Sequence, residues 1–310
     1  MNYQNGSAIS NVDVNVAYCF DRNYRQHFAA GIYSLIENFN GNSNLNIFVL
    51  TDETDPDFIE KIEEMIRFKS CKITWIKFKE ENVKNLYISA SSHFSSAIYY
   101  RLFLPTLLPS HIDKVLYLDS DTICIGDVSP LFNLEINNSA VAGVLDLECD
   151  RESKRLGLEK YINSGVLLMN LKTWRAHEIP EKCIDWIRKQ KKSTLGDQDA
   201  INTICQSQLM LVERKWNACI NPENMIPLND AIIFHYISHQ KPWQIWYDTD
   251  LASIYDHYLN QTPWANSPKD NPKNLSQSLL FARKLFSDKK YQESSNVYEK
   301  IIQELASKIK

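Results

Sequence analysis

Short apolar runs that alternate with amphipathic helical segments constrain the fold of this chain more than any other feature. Residues 12–20, 45–50 and 72–78 have the length and the composition of strands. The segments between them place apolar residues at helical spacing, for example Phe28, Ile32 and Leu35. This β-α-β-α-β order predicts an α/β fold with a mostly parallel central sheet.

The pattern continues through the middle of the chain. A helix is predicted over residues 95–104 and ends at Pro105, because proline lacks a backbone donor. The apolar run 114–118 is too short for a helix and predicts a buried strand. Further strands are predicted at 140–146, 165–170, 209–213 and 231–235, and further helices at 180–191 and 197–207.

A polar segment with three prolines, residues 262–274, separates this pattern from a helical tail. We therefore predict one α/β domain over 12–261, a linker over 262–274 and a C-terminal helical hairpin over 275–310.

Charge and cysteine usage exclude several classes of protein. The formal net charge of the 310 residues is −4, which offers no basic field for nucleic acid. The seven cysteines are scattered without a Cys-x-x-Cys pair, so we predict mostly buried free thiols rather than disulfides or a zinc ribbon. The polar first residues do not have the pattern of a signal peptide, and no apolar run has the length of a membrane span. We expect a cytoplasmic protein.

The tripeptide Asp119-Ser120-Asp121 directly follows the apolar strand 114–118. If the strand continues, residues i and i+2 point to one face, so Asp119 and Asp121 would direct two carboxylates to the carboxyl edge of the sheet. Adjacent carboxylates repel each other, and a divalent cation between them removes the repulsion. The alternative is a solvated turn, since Asp and Ser favour strand ends.

A second polar cluster follows the strand 231–235. His235 could supply a nitrogen ligand to the same cation, and Lys241 a positive charge for a phosphate oxygen. Two carboxylates and an imidazole suit Mn²⁺ better than Mg²⁺ or Ca²⁺, and Mg²⁺ is kept as the alternative. A buried histidine that bonds a backbone carbonyl is the other interpretation of His235.

Six motifs in order carry a resemblance to a known family. They are Val16 to Tyr24 (VAYCFDRNY), Tyr100-Arg101-Leu102, Leu118 to Asp121 (LDSD), Asn163 to Asn170 (NSGVLLMN), Gly196 to Asp199 (GDQD), and His235 to Trp243 (HYISHQKPW). With these motifs the chain resembles glycosyltransferase family 8, the retaining enzymes that include bacterial lipopolysaccharide galactosyl- and glucosyltransferases and glycogenin. The resemblance implies a GT-A fold that binds a nucleotide-sugar.

The resemblance also implies a role for each matching residue. Asp119, Asp121 and His235 would hold Mn²⁺ on the donor diphosphate, with Lys241 on the departing phosphate. Ala17, Tyr18 and Asp21 would contact the uracil and ribose of the nucleotide-sugar, and Arg101 its diphosphate or sugar. Asn163 and Ser164 would contact the sugar. Ser120 and Ser238 are also implied to contact the bound nucleotide-sugar. Asp197 and Gln198 would lie close to the anomeric carbon.

Several of these residues also have structural interpretations. Asp21 and Asp197 could cap helices, Arg101 could pair with a surface carboxylate, and Asn163-Ser164-Gly165 could be a strand-entry turn. Ser238 departs from the family pattern, which usually has glycine three residues after the metal histidine.

The implied reaction transfers glucose or galactose from UDP-glucose or UDP-galactose to a hydroxyl of a glycan, glycolipid or glycoprotein. Because Gln198 is a poor nucleophile, we favour front-face transfer with Gln198 as a stabiliser over a covalent intermediate. The alternative is a catalytically weak UDP-sugar-binding or scaffold protein of the same fold. Residues 276–310 carry seven Lys or Arg against four Asp or Glu, so the hairpin could contact an anionic membrane at its inner face, or pack on the domain or on a second copy.

Overall fold

The computed structural model describes residues 13–41, 43–52, 55–84, 86, 95–190, 195–221 and 230–309. Within them the strands are β1 Val14–Phe20, β2 Leu45–Thr51, β3 Cys71–Lys77, β4 Lys114–Leu118, β5 Thr122–Cys124, β6 Val141–Leu145, β7 Ile162–Asn170, β8 Leu209–Leu211, β9 Ala218–Cys219 and β10 Ile233–His235.

The α-helices are α1 Arg25–Asn38, α2 Pro56–Ile66, α3 Leu104–Leu107, α4 Ser129–Phe132, α5 Cys149–Leu156, α6 Leu171–Ala176, α7 Ile179–Lys189, α8 Asp197–Ile204, α9 Ala252–Leu259, α10 Leu275–Ser287 and α11 Tyr291–Ile309. Short 3₁₀ helices cover Arg22–Tyr24, Glu80–Asn82, Ser96–Phe103, Gln206–Gln208 and Arg214–Trp216.

Seven strands form a central sheet in the order β3-β2-β1-β4-β7-β6-β8. The pairs β1–β2, β2–β3, β1–β4 and β6–β8 are parallel, whereas β7 runs antiparallel to both β4 and β6. The predicted α/β fold with a mostly parallel sheet is confirmed. The reversed strand β7 was not predicted, because an apolar run has the same composition in either direction.

The central strand β1 is buried on both faces, as expected for an inner parallel strand. Ala17 and Cys19 pack in one apolar core, and Val16, Tyr18 and Phe20 pack in the core on the other face of the sheet. Helix α1 covers the second core with Phe28, Ile32 and Leu35, the stripe that the sequence predicts.

A second sheet of three strands, in the order β5-β10-β9, lies beyond the end of β4. Strand β10 pairs antiparallel with β5, which places His235 opposite Thr122. The backbone N–H of Tyr236 also donates to the carbonyl of Asp121 at 3.2 Å. This small sheet therefore carries His235 to the turn that follows β4.

Two predicted elements differ from the structure. The segment predicted as a helix over 95–104 is the 3₁₀ helix Ser96–Phe103, and Pro105 lies in the first turn of α3 rather than ending a helix. Proline fits there because the first turn has no intrahelical partner for its missing N–H. Strand β7 begins at Ile162, so Asn163, Ser164 and Gly165 lie inside the strand and not in a turn before it.

Helices α10 and α11 pack on each other as a hairpin, where the Ser294 hydroxyl donates to the Ala282 carbonyl at 2.8 Å. Lys284 lies 3.5 Å from Asp248 of the α/β domain. The residues of the predicted linker also contact that domain, since Asp270 forms a β-bridge with Gln244. The boundaries 12–261, 262–274 and 275–310 stay a prediction.

All seven cysteines are free thiols and five of them are buried, as predicted. Within the described ranges, no helix combines the length and the apolarity that a membrane crossing requires.

Candidate active site

The Asp119-Ser120-Asp121 turn is held by the antiparallel strand β7. Strand β4 ends at Leu118, and the N–H of Asp119 then donates to the Gly165 carbonyl at 2.8 Å. The N–H of Thr122 donates back to the carbonyl of Asp119 at 3.1 Å, which closes a turn. We predicted that β4 continues and that its alternation directs both carboxylates to one face. Instead, the turn after Leu118 sets the direction of the two carboxylates.

Asp119, Asp121 and His235 converge on one spot. One ligand atom from each of the three residues lies within 4.8 Å of the others. The Nε2 atom of His235 is 3.6 Å from an Asp119 oxygen and 3.3 Å from an Asp121 oxygen. Two hard carboxylates and one imidazole form a donor set that suits a divalent cation such as Mn²⁺. The residues present therefore fit a metal ion.

Lys241 lies on the other side of Asp121, with its ammonium nitrogen 2.7 Å from the second carboxylate oxygen. The same ammonium group donates to the carbonyl of Tyr236. Burial tends to raise the pKa of Asp121, but Lys241 and His235 hold that pKa well below its usual range. Asp121 is thus ionised and ready to bind a cation at neutral pH.

Arg101 is a buried connector and not a surface ion pair. Its guanidinium lies 2.9 Å from Asp119 and 3.0 Å from Asp197, and donates to the carbonyl of Ser164 at 2.5 Å. The guanidinium also lies over the Tyr117 ring, 4.4 Å from its centroid. Burial raises the pKa of Asp197 to about 6, opposed by Arg101 and reinforced by Asp119.

A chain of hydrogen bonds connects the start of β7 with α8. The side-chain carbonyl of Gln198 accepts from the N–H of Ser164 at 2.9 Å, and its amide donates to Asp146 at 3.2 Å. Asn163 donates to the same Asp146 oxygen at 3.0 Å. Gln198 is therefore held with its amide plane fixed between β7 and the end of β6.

A cavity of about 530 Å³ lies against these groups. Of the predicted site residues, it is lined by Asp21, Arg101, Asp119, Ser120, Asp121, Asn163, Ser164, Asp197, Gln198, His235, Ser238 and Lys241. Ala17 and Tyr18 are not in the lining. Both are fully buried in the two cores of the sheet, because β1 continues two residues further before it reaches the edge. The residues of this strand that line the cavity are Cys19 and Phe20.

Two predicted details can be compared with the local geometry. Asp21 caps the short helix that follows it, accepting from the N–H of Asn23 at 2.9 Å, and lines the cavity as well.

Ser238 accepts from the N–H of Gln240 at 3.1 Å, and it is not among the described residues with positive φ. The backbone at Ser238 thus has no conformational need for glycine.

The sequence analysis missed cavity residues that a consistent rule could have found. Asp146 follows β6 as Asp119 follows β4, and both line the same cavity. Asn23 and Tyr24, just beyond β1, also line it. Buried Asn217 does not line the cavity but hydrogen-bonds His235; it had no detectable signal because it lies between a three-residue 3₁₀ helix and the two-residue strand β9, too short for any periodicity.

The cavity is acidic. Asp21, Asp119, Asp121, Asp146 and Asp197 line it, whereas its Lys and Arg side chains are those of Arg101 and Lys241. Such a site repels an anionic ligand unless a cation comes with it. Because carboxylates are in excess, the cavity suits an anion that binds together with a cation better than an anion alone.

A mostly parallel sheet that ends in a carboxylate–imidazole cluster beside a deep cavity is the architecture of GT-A-type glycosyltransferases. The model of the family described as "Glycosyl transferase family 8" matches residues 15–247, and the chain belongs to that family.

Two curated relatives and one solved structure show what the chain is similar to. A lipopolysaccharide 1,2-glucosyltransferase of Escherichia coli (strain K12) is 27% identical over 289 residues, spanning 87% of this chain and 84% of the relative. General stress protein A of Bacillus subtilis (strain 168) is 29% identical over 275 residues, spanning 81% and 94%. The fold is shared with galactosyltransferase LgtC in complex with donor and acceptor sugar analogs, with a TM-score of 0.71, 22% identity, and coverage of 81% of this chain and 96% of that chain.

Proposed function

We propose that this protein is a retaining hexosyltransferase that moves glucose or galactose from a UDP-sugar to an acceptor hydroxyl. The proposed metal ligands are Asp119, Asp121 and His235, and the proposed ion is Mn²⁺, with Mg²⁺ as the alternative. The observation that carries the proposal is the convergence of these three side chains in an acidic cavity of about 530 Å³, a volume typical of small-molecule sites.

The charge of the cavity supports metal dependence. A nucleoside diphosphate is an anion, and five aspartates line the volume that it would enter. When bound, a divalent cation neutralises the diphosphate and stabilises the negative charge that develops on the leaving nucleotide. Asp119 and Asp121 supply the opposing charge that holds the cation in place.

Lys241 and Arg101 are proposed to act on the leaving diphosphate. The ammonium of Lys241 lies beside Asp121, so it can exchange the carboxylate for a phosphate oxygen over a short distance. Arg101 cannot swing freely, because Asp119, Asp197 and the Ser164 carbonyl hold it. We therefore assign Arg101 to fixing the Asp119 and Asp197 carboxylates, with a contact to diphosphate or sugar at its cavity edge.

Gln198 is the residue proposed to face the anomeric carbon. Its oxygen accepts from Ser164 and its nitrogen donates to Asp146, so the amide is fixed but carries no charge. A neutral amide is a poor nucleophile, which favours transfer on one face of the sugar over a covalent intermediate. Asp197 is 3% exposed and paired with Arg101, which makes it an unfavourable nucleophile as well.

The remaining cavity residues are proposed to bind the donor. Asp21 and Ser120, next to the ends of β1 and β4, are assigned to the nucleoside, and Asn163 and Ser164, at the start of β7, are assigned to the sugar. The Ser120 hydroxyl is buried and has no hydrogen-bond partner among the described residues. A hydroxyl left without a partner gains a hydrogen bond when a nucleotide oxygen reaches it.

The proposed function is tested by release of UDP from UDP-glucose and UDP-galactose, with Mn²⁺, with Mg²⁺ and with EDTA. Turnover that needs a divalent cation and is lost in Asp121→Asn supports the proposal. Tight UDP binding without turnover on any donor or acceptor contradicts it and favours the non-catalytic scaffold. Mass spectrometry that traps a glycosylated Asp197 or Gln198 contradicts the one-face transfer.

The hairpin is proposed to contact a membrane or a second copy while the domain acts on its glycan, glycolipid or glycoprotein acceptor. Phe286 and Tyr291 are 61% and 56% exposed and lie next to each other at its tip, with ring centroids 5.2 Å apart. Flotation with anionic vesicles tests the membrane contact. If the wild type does not float, the membrane contact is wrong; if it floats and the double variant Phe286→Ser and Tyr291→Ser floats equally well, these two rings do not make the contact.

A further inference from the structure

Asn217 is a fully buried amide that touches two parts of the site without lining the cavity. It follows the 3₁₀ helix Arg214–Trp216 and precedes β9. Its side chain bonds the Nδ1 atom of His235 at 3.0 Å and the side-chain carbonyl of Asn163 at 2.9 Å. One amide therefore spans the proposed metal ligand and the proposed sugar-binding strand.

The direction of each hydrogen bond follows from a backbone donor. The N–H of Gly165 is fixed as a donor, and it points to the Oδ1 atom of Asn163 at 3.0 Å. The other end of that amide, Nδ2, donates to the carboxylate of Asp146. Both contacts orient Asn163 in the same way, so its Oδ1 atom is an acceptor.

That orientation determines the orientation of Asn217. Since the oxygen of Asn163 accepts, the atom of Asn217 beside it is the donor Nδ2. The oxygen of Asn217 then faces Nδ1 of His235, and the thiol of Cys219 donates to the same oxygen at 3.5 Å. An amide oxygen only accepts, so Nδ1 of His235 carries the proton.

We infer that Asn217 is a positioning residue that holds His235 in the Nδ1–H tautomer, with the Nε2 lone pair directed at the carboxylates of Asp119 and Asp121. Free imidazole has no such constraint on its tautomer, and an Nε2–H ring would direct a proton at the cation position. The role of the cation rests on the proposed function, whereas the tautomer does not.

The same amide also couples the cation position to the donor-sugar strand. A shift of His235 is transmitted through Asn217 to Asn163, which in turn bonds Asp146 and the N–H of Gly165. Outer residues that orient a metal-bound histidine in this way control metal affinity about 10- to 100-fold. This places Asn217 among the determinants of the site although it contacts no ligand.

The first test measures the tautomer directly in the wild-type protein without metal. Long-range ¹H–¹⁵N spectra are recorded with ¹⁵N-labelled histidine over a range of pH, and His235→Asn assigns the signal. The expected result is a proton on Nδ1. Without a cation, Asp119 and Asp121 can hold a second proton on Nε2, 3.6 Å and 3.3 Å away, so the deciding signal is that of Nδ1. A ring of His235 without a proton on Nδ1 overturns the inference.

The second test measures Mn²⁺ affinity without donor, from the electron paramagnetic resonance signal of the free ion. Asn217→Ala is expected to bind Mn²⁺ about 10- to 100-fold more weakly than the wild type. Asn202→Ala is the matched control, since Asn202 is also fully buried and bonds Ile162 and Gln198 without touching His235. It should lose stability and keep the wild-type Mn²⁺ affinity.

The two arms separate the inference from the function on which it partly rests. Equal Mn²⁺ affinity of Asn217→Ala and the wild type overturns the positioning role. A wild-type protein that binds no Mn²⁺ even when UDP is added contradicts the proposed metal-dependent function, and the spectrum of His235 still decides the tautomer.

Discussion

Gly165 lies directly beneath the ring of His235: a Cβ atom at Gly165 would come within 2.0 Å of Cε1 of that ring. Gly165 sits inside the antiparallel strand β7, and its carbonyl also receives the N–H of Asp119. One residue without a side chain thus allows His235 and the aspartate turn to approach each other.

Gly165→Ala should therefore displace His235 from the two carboxylates. Because the ring is fixed on its other side by Asn217, it cannot rotate away without losing a buried hydrogen bond. We expect Mn²⁺ affinity to fall by about 100-fold. A titration of the protein with Mn²⁺, followed by the electron paramagnetic resonance signal of the free ion, measures this affinity. Gly157→Ala is the control, since nothing lies within 4 Å of the added atom there. It should cost about 1 kcal/mol of stability through its positive φ and leave Mn²⁺ binding unchanged. Unaltered binding in Gly165→Ala would contradict the predicted geometry.

Arg101→Met should destabilise the protein by about 3–5 kcal/mol at pH near 7.5, because it leaves the buried carboxylate of Asp197 and the partly buried one of Asp119 without their cation. Asp197 has a pKa raised to about 6, so the folded state holds its proton more tightly than the unfolded state. Protonated Asp197 therefore adds to the free energy of unfolding at low pH, and this contribution is lost as the pH rises through about 6. The deficit of Arg101→Met relative to the wild type should accordingly shrink at pH about 5. Urea unfolding at both pH values measures it, and a deficit that grows at low pH would show that Asp197 is not the group responsible.

Lys241→Met should lower kcat by about 100-fold through loss of a cation at the leaving phosphate, with a smaller effect on donor KM. The matched control is Lys269→Met, because Lys269 pairs with Asp256 at the same 2.7 Å outside the cavity. Steady-state kinetics with the better UDP-hexose compare the two variants. Equal losses in both would mean that Lys241 acts only on stability.

His27 should make the protein acid-labile. Burial lowers its pKa from 6.5 to about 3, and the neutral ring stacks on Trp243 with centroids 3.5 Å apart and bonds the Tyr255 hydroxyl at 2.7 Å. The unfolded state binds the proton more readily, so this stability is fully present above pH 6.5 and is lost as pH falls toward about 3. Between pH about 7.5 and about 5 we expect a loss of about 2 kcal/mol from this group.

His27→Phe keeps the stacked ring and cannot take up a proton. Between the two pH values, the free energy of unfolding of this variant should therefore change by about 2 kcal/mol less than that of the wild type. Urea unfolding at both pH values measures the difference. A variant with the same pH dependence as the wild type would assign the acid lability to other groups.

Local patterns predicted much of the fold. The apolar run of β4 and the stripe of α1 were visible because burial on a strand or on one helical face requires apolar residues at fixed spacing. The 3₁₀ geometry of Ser96–Phe103 was not visible, because apolar residues occur at similar spacing in both kinds of helix.

The candidate site was predictable where chemistry and strand ends coincide. Asp119, Asp121 and His235 each end or follow an apolar strand, and they do converge. Ala17 and Tyr18 were named from the family resemblance and not from this rule; they lie in the two cores, three and two residues before the end of β1 that the sequence correctly predicts at Phe20. Asp146 met the same rule and was overlooked, whereas Asn217 meets no sequence rule.

By itself the sequence determined the α/β class, the family resemblance, and the residue types able to bind a cation and a diphosphate, because these depend on composition and local spacing. Tertiary structure alone decided that β7 runs antiparallel, that Gly165 therefore lies against His235, and that Asn217 fixes the histidine from behind. These relationships join residues that are tens of positions apart. Only the packing of the two sheets brings them within bonding distance.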